Sequence, residues 1–92
     1  MFYVYILYSK KYGKYYIGHT DNPDRRLEEH NELSESSFTS KYRPWELKAS
    51  FEVGVDRGRA RLIENFIKKQ KSRKFIEKII ETRNISFILS RF

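Results

Sequence analysis

Two short aromatic and aliphatic segments, joined by a basic connection with a glycine in it, constrain this chain more than anything else it contains. Phe2 to Tyr8 mixes Val, Ile, Leu and Tyr, and Lys14 to Thr20 has the same character. Such residues suit a pleated, half-buried surface. Lys10-Lys11-Tyr12-Gly13-Lys14 lies between them and is short enough for a β-hairpin. The clusters Tyr3-Val4-Tyr5 and Tyr15-Tyr16-Ile17-Gly18 place phenol hydroxyls on that hairpin. Taken alone this is an aromatic core, because tyrosine buries a large ring and its hydroxyl is easily satisfied. Any functional reading has to come from downstream.

Asp21-Asn22-Pro23-Asp24 reads as a helix start, with Asn22 as N-cap, Pro23 in the first turn and Asp24 facing the positive helix end. The predicted helix runs to about Glu32. Leu27 is its one large aliphatic residue before Leu33, so its apolar face is thin. Arg26 and His30 are four apart and share a face that borders the sheet side. A helix this polar is either loosely held or lends polar groups to a cleft.

Leu33 to Lys41 reads as a loop anchored by Phe38 and Tyr42 and ended by Arg43-Pro44. Trp45 to Val53 then alternates. Trp45, Leu47, Ala49, Phe51 and Val53 are predicted to share one buried face, with Glu46, Lys48, Ser50 and Glu52 on the other. Asp56 suits the cap of the next helix, whose predicted core stripe is Leu62, Ile63, Phe66 and Ile67, with Glu64 past its edge. After a basic run, Ser72 restarts a helix with the face Phe75, Ile76, Ile79 and Ile80, closed by Asn84. Residues 85–92 are apolar and read as a C-terminal extension, either a small edge strand or a packed segment.

Length and charge narrow the classes. Ninety-two residues suit one domain, 1–92. There is no cysteine, so disulfides and thiolate metal sites are excluded, and the two histidines, eleven apart, make a poor zinc site. No apolar run approaches the ~20 residues that span a bilayer and no signal peptide is visible, so the expectation is a soluble, cytoplasmic protein with no membrane partner. The net charge of +7 favours a polyanion. Its lysines and arginines are interleaved with Tyr and Phe, which fits a folded nucleic-acid-binding surface better than a disordered arm. No phosphate-cradling glycine loop or Ser-His nucleophile pairing is present.

Tyr3-Val4-Tyr5 and Tyr16-Ile17-Gly18, about ten residues apart, resemble the two motifs that name the GIY-YIG nuclease superfamily. The likeness continues through Asp24-Arg25-Arg26-Leu27-Glu28-Glu29-His30-Asn31, through Lys41-Tyr42-Arg43-Pro44, and through Glu64 with Lys68-Lys69. Within the superfamily the chain is similar to the small single-domain bacterial members. Tyr3 stands where the first motif has Gly, which is a departure. The resemblance implies an α/β (α+β) fold: a three-stranded antiparallel sheet flanked by helices, in the order β-β-α-β-α-α. It also implies hydrolysis of DNA phosphodiesters with one divalent metal, Mg²⁺ or Mn²⁺. The catalytic set carried over is Tyr5, Tyr16, Arg26, His30 and Glu64, with Glu64 as metal ligand.

These roles are chemically reasonable. A hard cation can be held by one carboxylate together with water and substrate phosphate. Arg26 offers a fixed fork of donors to phosphate oxygens. Tyr16 is assigned as base or water-orienting group with Tyr5 in support, and the two are interchangeable at this stage. His30 is a candidate proton carrier, since imidazole titrates near neutrality. Lys10, Lys11, Lys14, His19, Arg43, Lys68, Lys69 and Lys71 are the expected DNA contacts, giving affinity without sequence choice. The function expected is a metal-dependent DNA endonuclease, selecting DNA by shape, in repair or recombination. The rivals are a catalytically weak nucleic-acid-binding module and a protein-interaction domain; the apolar C-terminal segment leaves a homodimer open.

Overall fold

The computed structural model describes residues 1–33 and 38–92, with every side chain among them except that of Leu33. Strands β1 (Phe2–Ser9) and β2 (Lys14–Thr20) form the expected antiparallel hairpin, with Tyr5 opposite Gly18 and Leu7 opposite Tyr16. Gly13 takes φ +63° in the turn and its N–H donates to the Ser9 carbonyl at 2.7 Å. Strand β3 (Glu46–Gly54) pairs antiparallel with the far side of β1, so the order is β2-β1-β3. β1 is therefore the central strand and β2 is an edge.

Among the described residues, five helices surround the sheet. α1 (Pro23–Glu28) is capped by Asn22, whose side chain accepts from the Arg25 N–H, and continues as a wider π-helical stretch, Glu29–Leu33. α2 (Phe38–Lys41) is a single turn. α3 (Arg57–Lys69) is capped by Asp56 and α4 (Arg73–Thr82) by Ser72, as expected. α5 (Ser86–Leu89) closes the chain. The predicted order is kept, with α2 and α5 as short additions. No helix among the described residues is long and apolar enough to cross a membrane.

Helices cover both faces of the sheet, which is why Val4, Tyr5, Ile6 and Leu7 are each 1% exposed or less. Val4, Ile6 and Ile17 meet Ala49, Phe51 and Val53 on one face, against Ala60, Ile63 and Ile67 of α3, Ile79 of α4, and Ile85 and Ile88. Tyr5, Leu7 and Trp45 form a smaller cluster on the other face with Tyr16, Leu27, Tyr42 and Leu47. That division corrects the reading of β3 as a strand with one buried face. Ile6 pairs with Ala49 but Leu7 pairs with Leu47, so Lys48 is the extra residue of a β-bulge. An extra residue reverses the inward-outward sense of what precedes it, and Trp45 and Leu47 pass to the face opposite Ala49.

Other expectations shift by smaller amounts. Leu62 is 54% exposed, and the buried stripe of α3 is Ala60, Ile63, Glu64 and Ile67, the spacing a helix demands. α4 ends at Arg83, which adopts the left-handed conformation that Asn84 was expected to supply; the Asn84 side chain instead accepts from the Ser86 N–H, at the start of α5. Residues 85–92 pack as a helical turn through Ile85 and Ile88, not as an edge strand. Arg59 holds that turn by donating to the carbonyls of Val53 and Leu89. Of the expected loop from Leu33 to Lys41, residues 38–41 are helical and 34–37 lie outside the described residues.

Candidate active site

The site starts at an absent side chain. Tyr5 faces Gly18 across the hairpin, and its phenol lies directly over that glycine. A Cβ on Gly18 would stand 2.5 Å from the Tyr5 oxygen. The phenol thus projects across the edge strand and is hydrogen-bonded to His30 Nε2 at 2.8 Å. His30 Nδ1 is in turn 2.9 Å from Thr39 Oγ1. Arg26, on the same helical face, donates to Glu29 at 3.0 Å, and its charge acts on the Tyr5 phenol.

Electrostatics assign these groups different tasks. Burial, and then the neighbouring Tyr16, push the Tyr5 phenol well above its ordinary value, and Arg26 offsets this only in part. Tyr5 is a neutral phenol. His30 is 2% exposed. Burial first, and then the Arg26 charge, push it down to about 4. It is a neutral imidazole at pH 7, so its expected role as a proton carrier that charges near neutrality does not match its surroundings. What its geometry provides is a fixed hydrogen-bond partner for Tyr5. Tyr16 stands beside this pair, half-buried, with its ring centroid 4.9 Å from that of His30 and 6.3 Å from that of Tyr5.

A second group comes from the other face of β2. Glu64 sits within the buried stripe of α3 and is 8% exposed. Its Oε1 accepts from His19 Nδ1 at 2.8 Å, and its Oε2 from Lys68 Nζ at 2.7 Å. Charged residues are seldom buried without partners, and this one has two. Gly18 and Tyr16 share one face of the edge strand while His19 takes the other. The two groups therefore flank the edge of β2 on either side of Gly18, whose missing side chain leaves room for the Tyr5 phenol. They are in electrostatic reach: the Glu64 charge adds to the upward push on Tyr5, and Lys68 Nζ lies 5.9 Å from the Tyr16 ring centroid.

The expected DNA contacts scatter more widely. Lys10, Lys11 and Lys14 are exposed around the hairpin turn; Lys69 and Lys71 are exposed where α3 ends. Lys68 and His19 are engaged with Glu64. Arg43 is half-buried and its Nε donates to the His30 carbonyl at 2.7 Å, so it braces the π-helical stretch. Two contributors were missed. Thr39, in a Ser-rich stretch, holds His30, and its carbonyl accepts from Trp45 Nε1 at 2.8 Å. Asn31 clips the helix to the start of β3 through both backbone groups of Trp45. No local pattern announces either contact. The burial of Glu64 was detectable, since Ala60, Ile63 and Ile67 bracket it at helical spacing.

Among the described residues no group of three or more His, Cys, Asp and Glu could enclose a metal. The donor set fits an ion that needs only one protein oxygen and keeps its waters, such as Mg²⁺ or Mn²⁺. Glu64 is the carboxylate of the site that could supply such an oxygen, and His19 and Lys68 now occupy its two oxygens. A family model described as the GIY-YIG catalytic domain matches residues 1–78, a range that contains every side chain of both groups. No curated protein and no solved structure matches the chain.

Proposed function

This chain belongs to the GIY-YIG catalytic-domain family, and on that premise we propose that it is a divalent-metal-dependent DNA endonuclease that selects its substrate by DNA shape and serves repair or recombination. Family membership by itself gives a nuclease-type function. The observation that most supports the finer reading is the placement of Tyr5, Tyr16 and Arg26 near Glu64 and Lys68 around the edge of β2 at Gly18.

Each side chain then has a task. Arg26 presents donors to a phosphate oxygen and stabilises charge that develops there. Tyr16 is the more accessible of the two site tyrosines and is the one placed to orient the attacking water or take its proton. Tyr5 stays protonated and, held by His30, forms the wall of the site beside Arg26. His19 keeps the Glu64 carboxylate in place, and Lys68 adds positive charge beside the scissile phosphate. A bound Mg²⁺ or Mn²⁺ on Glu64 would supply Lewis acidity and a more acidic water.

The test is cleavage of labelled linear, nicked, flapped and four-way DNA with Mg²⁺ or Mn²⁺, comparing the wild type with folded Glu64→Ala and Arg26→Ala. Loss of cleavage in both variants is the expected result. Equal background from all three proteins, with salt-sensitive DNA binding retained, would overturn catalysis in favour of a binding module.

A further inference from the structure

A line of aromatic rings leaves the site and runs to the hairpin tip. Tyr16 is stacked near-parallel on Phe38, with 6.4 Å between centroids and 26° between planes. Phe38 meets Tyr42 at 4.8 Å, and Tyr42 meets Tyr12 edge-on at 5.3 Å. Both ends of the outer part are open to solvent: Phe38 is 49% exposed and Tyr12 44%. Two lysines cover the same rings. Lys14 Nζ lies 5.0 Å from the Tyr42 centroid and Lys11 Nζ 5.4 Å from that of Tyr12.

The fold has a reason to keep Thr39 inward, because it holds His30. It has no comparable reason to leave the adjacent Phe38 half in water, where a large ring forfeits much of its burial free energy. Exposed rings flanked by cations are what unpaired nucleobases bind. Each base has a π face, stacking tolerates any sequence, and lysines meet the backbone phosphates. Paired bases, stacked inside a duplex, cannot use such rings. A protein partner would gain nothing from ammonium groups seated over the rings unless it carried matching acids, whereas a DNA strand supplies a negative charge with every base.

We propose that Phe38, Tyr42 and Tyr12, with Lys11 and Lys14, form a docking strip for an unpaired DNA strand that leads it to the site at Tyr16. The proposal rests on the DNA-nuclease reading for its choice of DNA and deepens that reading by naming the substrate: strands with unpaired bases next to the phosphodiester that is cut. A flap, a gap or a single strand qualifies, and a continuous duplex does not.

The experiment is equilibrium binding by fluorescence anisotropy, in EDTA so that nothing is cleaved. The probes are a labelled mixed-sequence single strand, the same strand paired into a duplex, and the RNA of matching sequence. The proteins are wild type, Phe38→Ala, Tyr12→Ala, Phe38→Trp and Lys14→Gln, each checked for folding by circular dichroism and thermal melting. The wild type should favour the single DNA strand over the duplex. Phe38→Ala and Tyr12→Ala should each weaken single-strand binding by about tenfold and leave duplex binding unchanged, from the size of base-aromatic stacking. Phe38→Trp should keep the affinity, and Lys14→Gln should weaken both forms. Equal affinity for single strand and duplex, an unchanged single-strand affinity in the two alanine variants, or tighter binding of the RNA would each overturn the strip as proposed. Because no cleavage is measured, failure here leaves the metal-dependent cleavage test standing, and failure of that test leaves this one.

Discussion

The phenol oxygen of Tyr5 occupies the space where Gly18 would carry a side chain: a Cβ there would sit 2.5 Å from the oxygen and 2.7 Å from the carbon that bears it. Neither partner can yield easily. Gly18 is paired in the sheet, and Tyr5 is 1% exposed and bonded to His30. Gly18→Ala should therefore destabilise the fold by ~1–3 kcal/mol, the usual cost of forcing an extra methyl into a packed region. It should also lower cleavage by more than the loss of folded protein explains, since the displaced phenol disturbs His30, its hydrogen-bond partner in the site. Urea denaturation and cleavage of the same preparation check both effects. A variant with wild-type stability would contradict the packing described.

His30 makes stability depend on pH in a defined direction. The folded protein holds it at about 4, against 6.5 for an unperturbed imidazole. Between those values the unfolded chain takes up a proton that the folded one refuses, so stability is fully present above about pH 6.5 and is lost as pH falls toward 4. The whole window is worth about 3 kcal/mol. Urea unfolding at pH 7.5, 6, 5 and 4.5 should show that decline, and His30→Gln should flatten it. An equally steep decline in the variant would assign the acid sensitivity to other groups.

The hairpin, the capped helices and the shared face of Arg26 and His30 were legible because they obey local rules: alternation, capping and a four-residue spacing. What stayed hidden depends on contacts between distant segments. The bulge at Lys48 is invisible in the pattern Trp45-Glu46-Leu47-Lys48-Ala49, which alternates without a break, and only the partner strand shows that Leu47 and Ala49 face opposite ways. Thr39 gives no signal because its partner His30 is nine residues back. The neutral state of His30 follows from burial under a tertiary structure, beside an arginine that the sequence places correctly without its consequence. Glu64 is the intermediate case, where the family likeness named the residue and the helical spacing of its apolar neighbours could have named its burial.

Lys68 and a metal ion would compete for the same carboxylate. Lys68 Nζ is 2.7 Å from Glu64 Oε2, and its side chain is 46% exposed. A pair this open contributes ~0.2–1 kcal/mol. Removing the lysine by Lys68→Met should therefore lower the Mg²⁺ concentration for half-maximal cleavage by a factor of about 1.4 to 5. The same change should weaken DNA binding and steepen no part of its salt dependence, because one phosphate contact is lost. Cleavage rates against Mg²⁺ concentration, at saturating DNA, separate the two effects. A higher Mg²⁺ requirement in the variant would mean that Lys68 positions Glu64 for the ion more than it contends with it.

Asn31 is the clip between the helical layer and β3. Its Oδ1 accepts from the Trp45 N–H at 2.7 Å and its Nδ2 donates to the Trp45 carbonyl at 3.0 Å, so one amide satisfies both backbone groups of a residue that is 3% exposed. Water cannot readily replace it there. Asn31→Ala strands the Trp45 N–H and carbonyl and should cost ~1–3 kcal/mol. Asn31→Asp is the sharper probe. It keeps the acceptor for the N–H but turns a second oxygen toward the Trp45 carbonyl, where a donor stood, and burial of the new charge adds to the repulsion. The aspartate variant should therefore be no more stable than the alanine one despite its closer shape. Trp45 is the single tryptophan of the chain, so its fluorescence reports this joint without interference. Both variants should shift its emission toward that of a solvated indole before global unfolding in urea. An aspartate variant as stable as the wild type would show that the Trp45 carbonyl does not depend on the Asn31 amide.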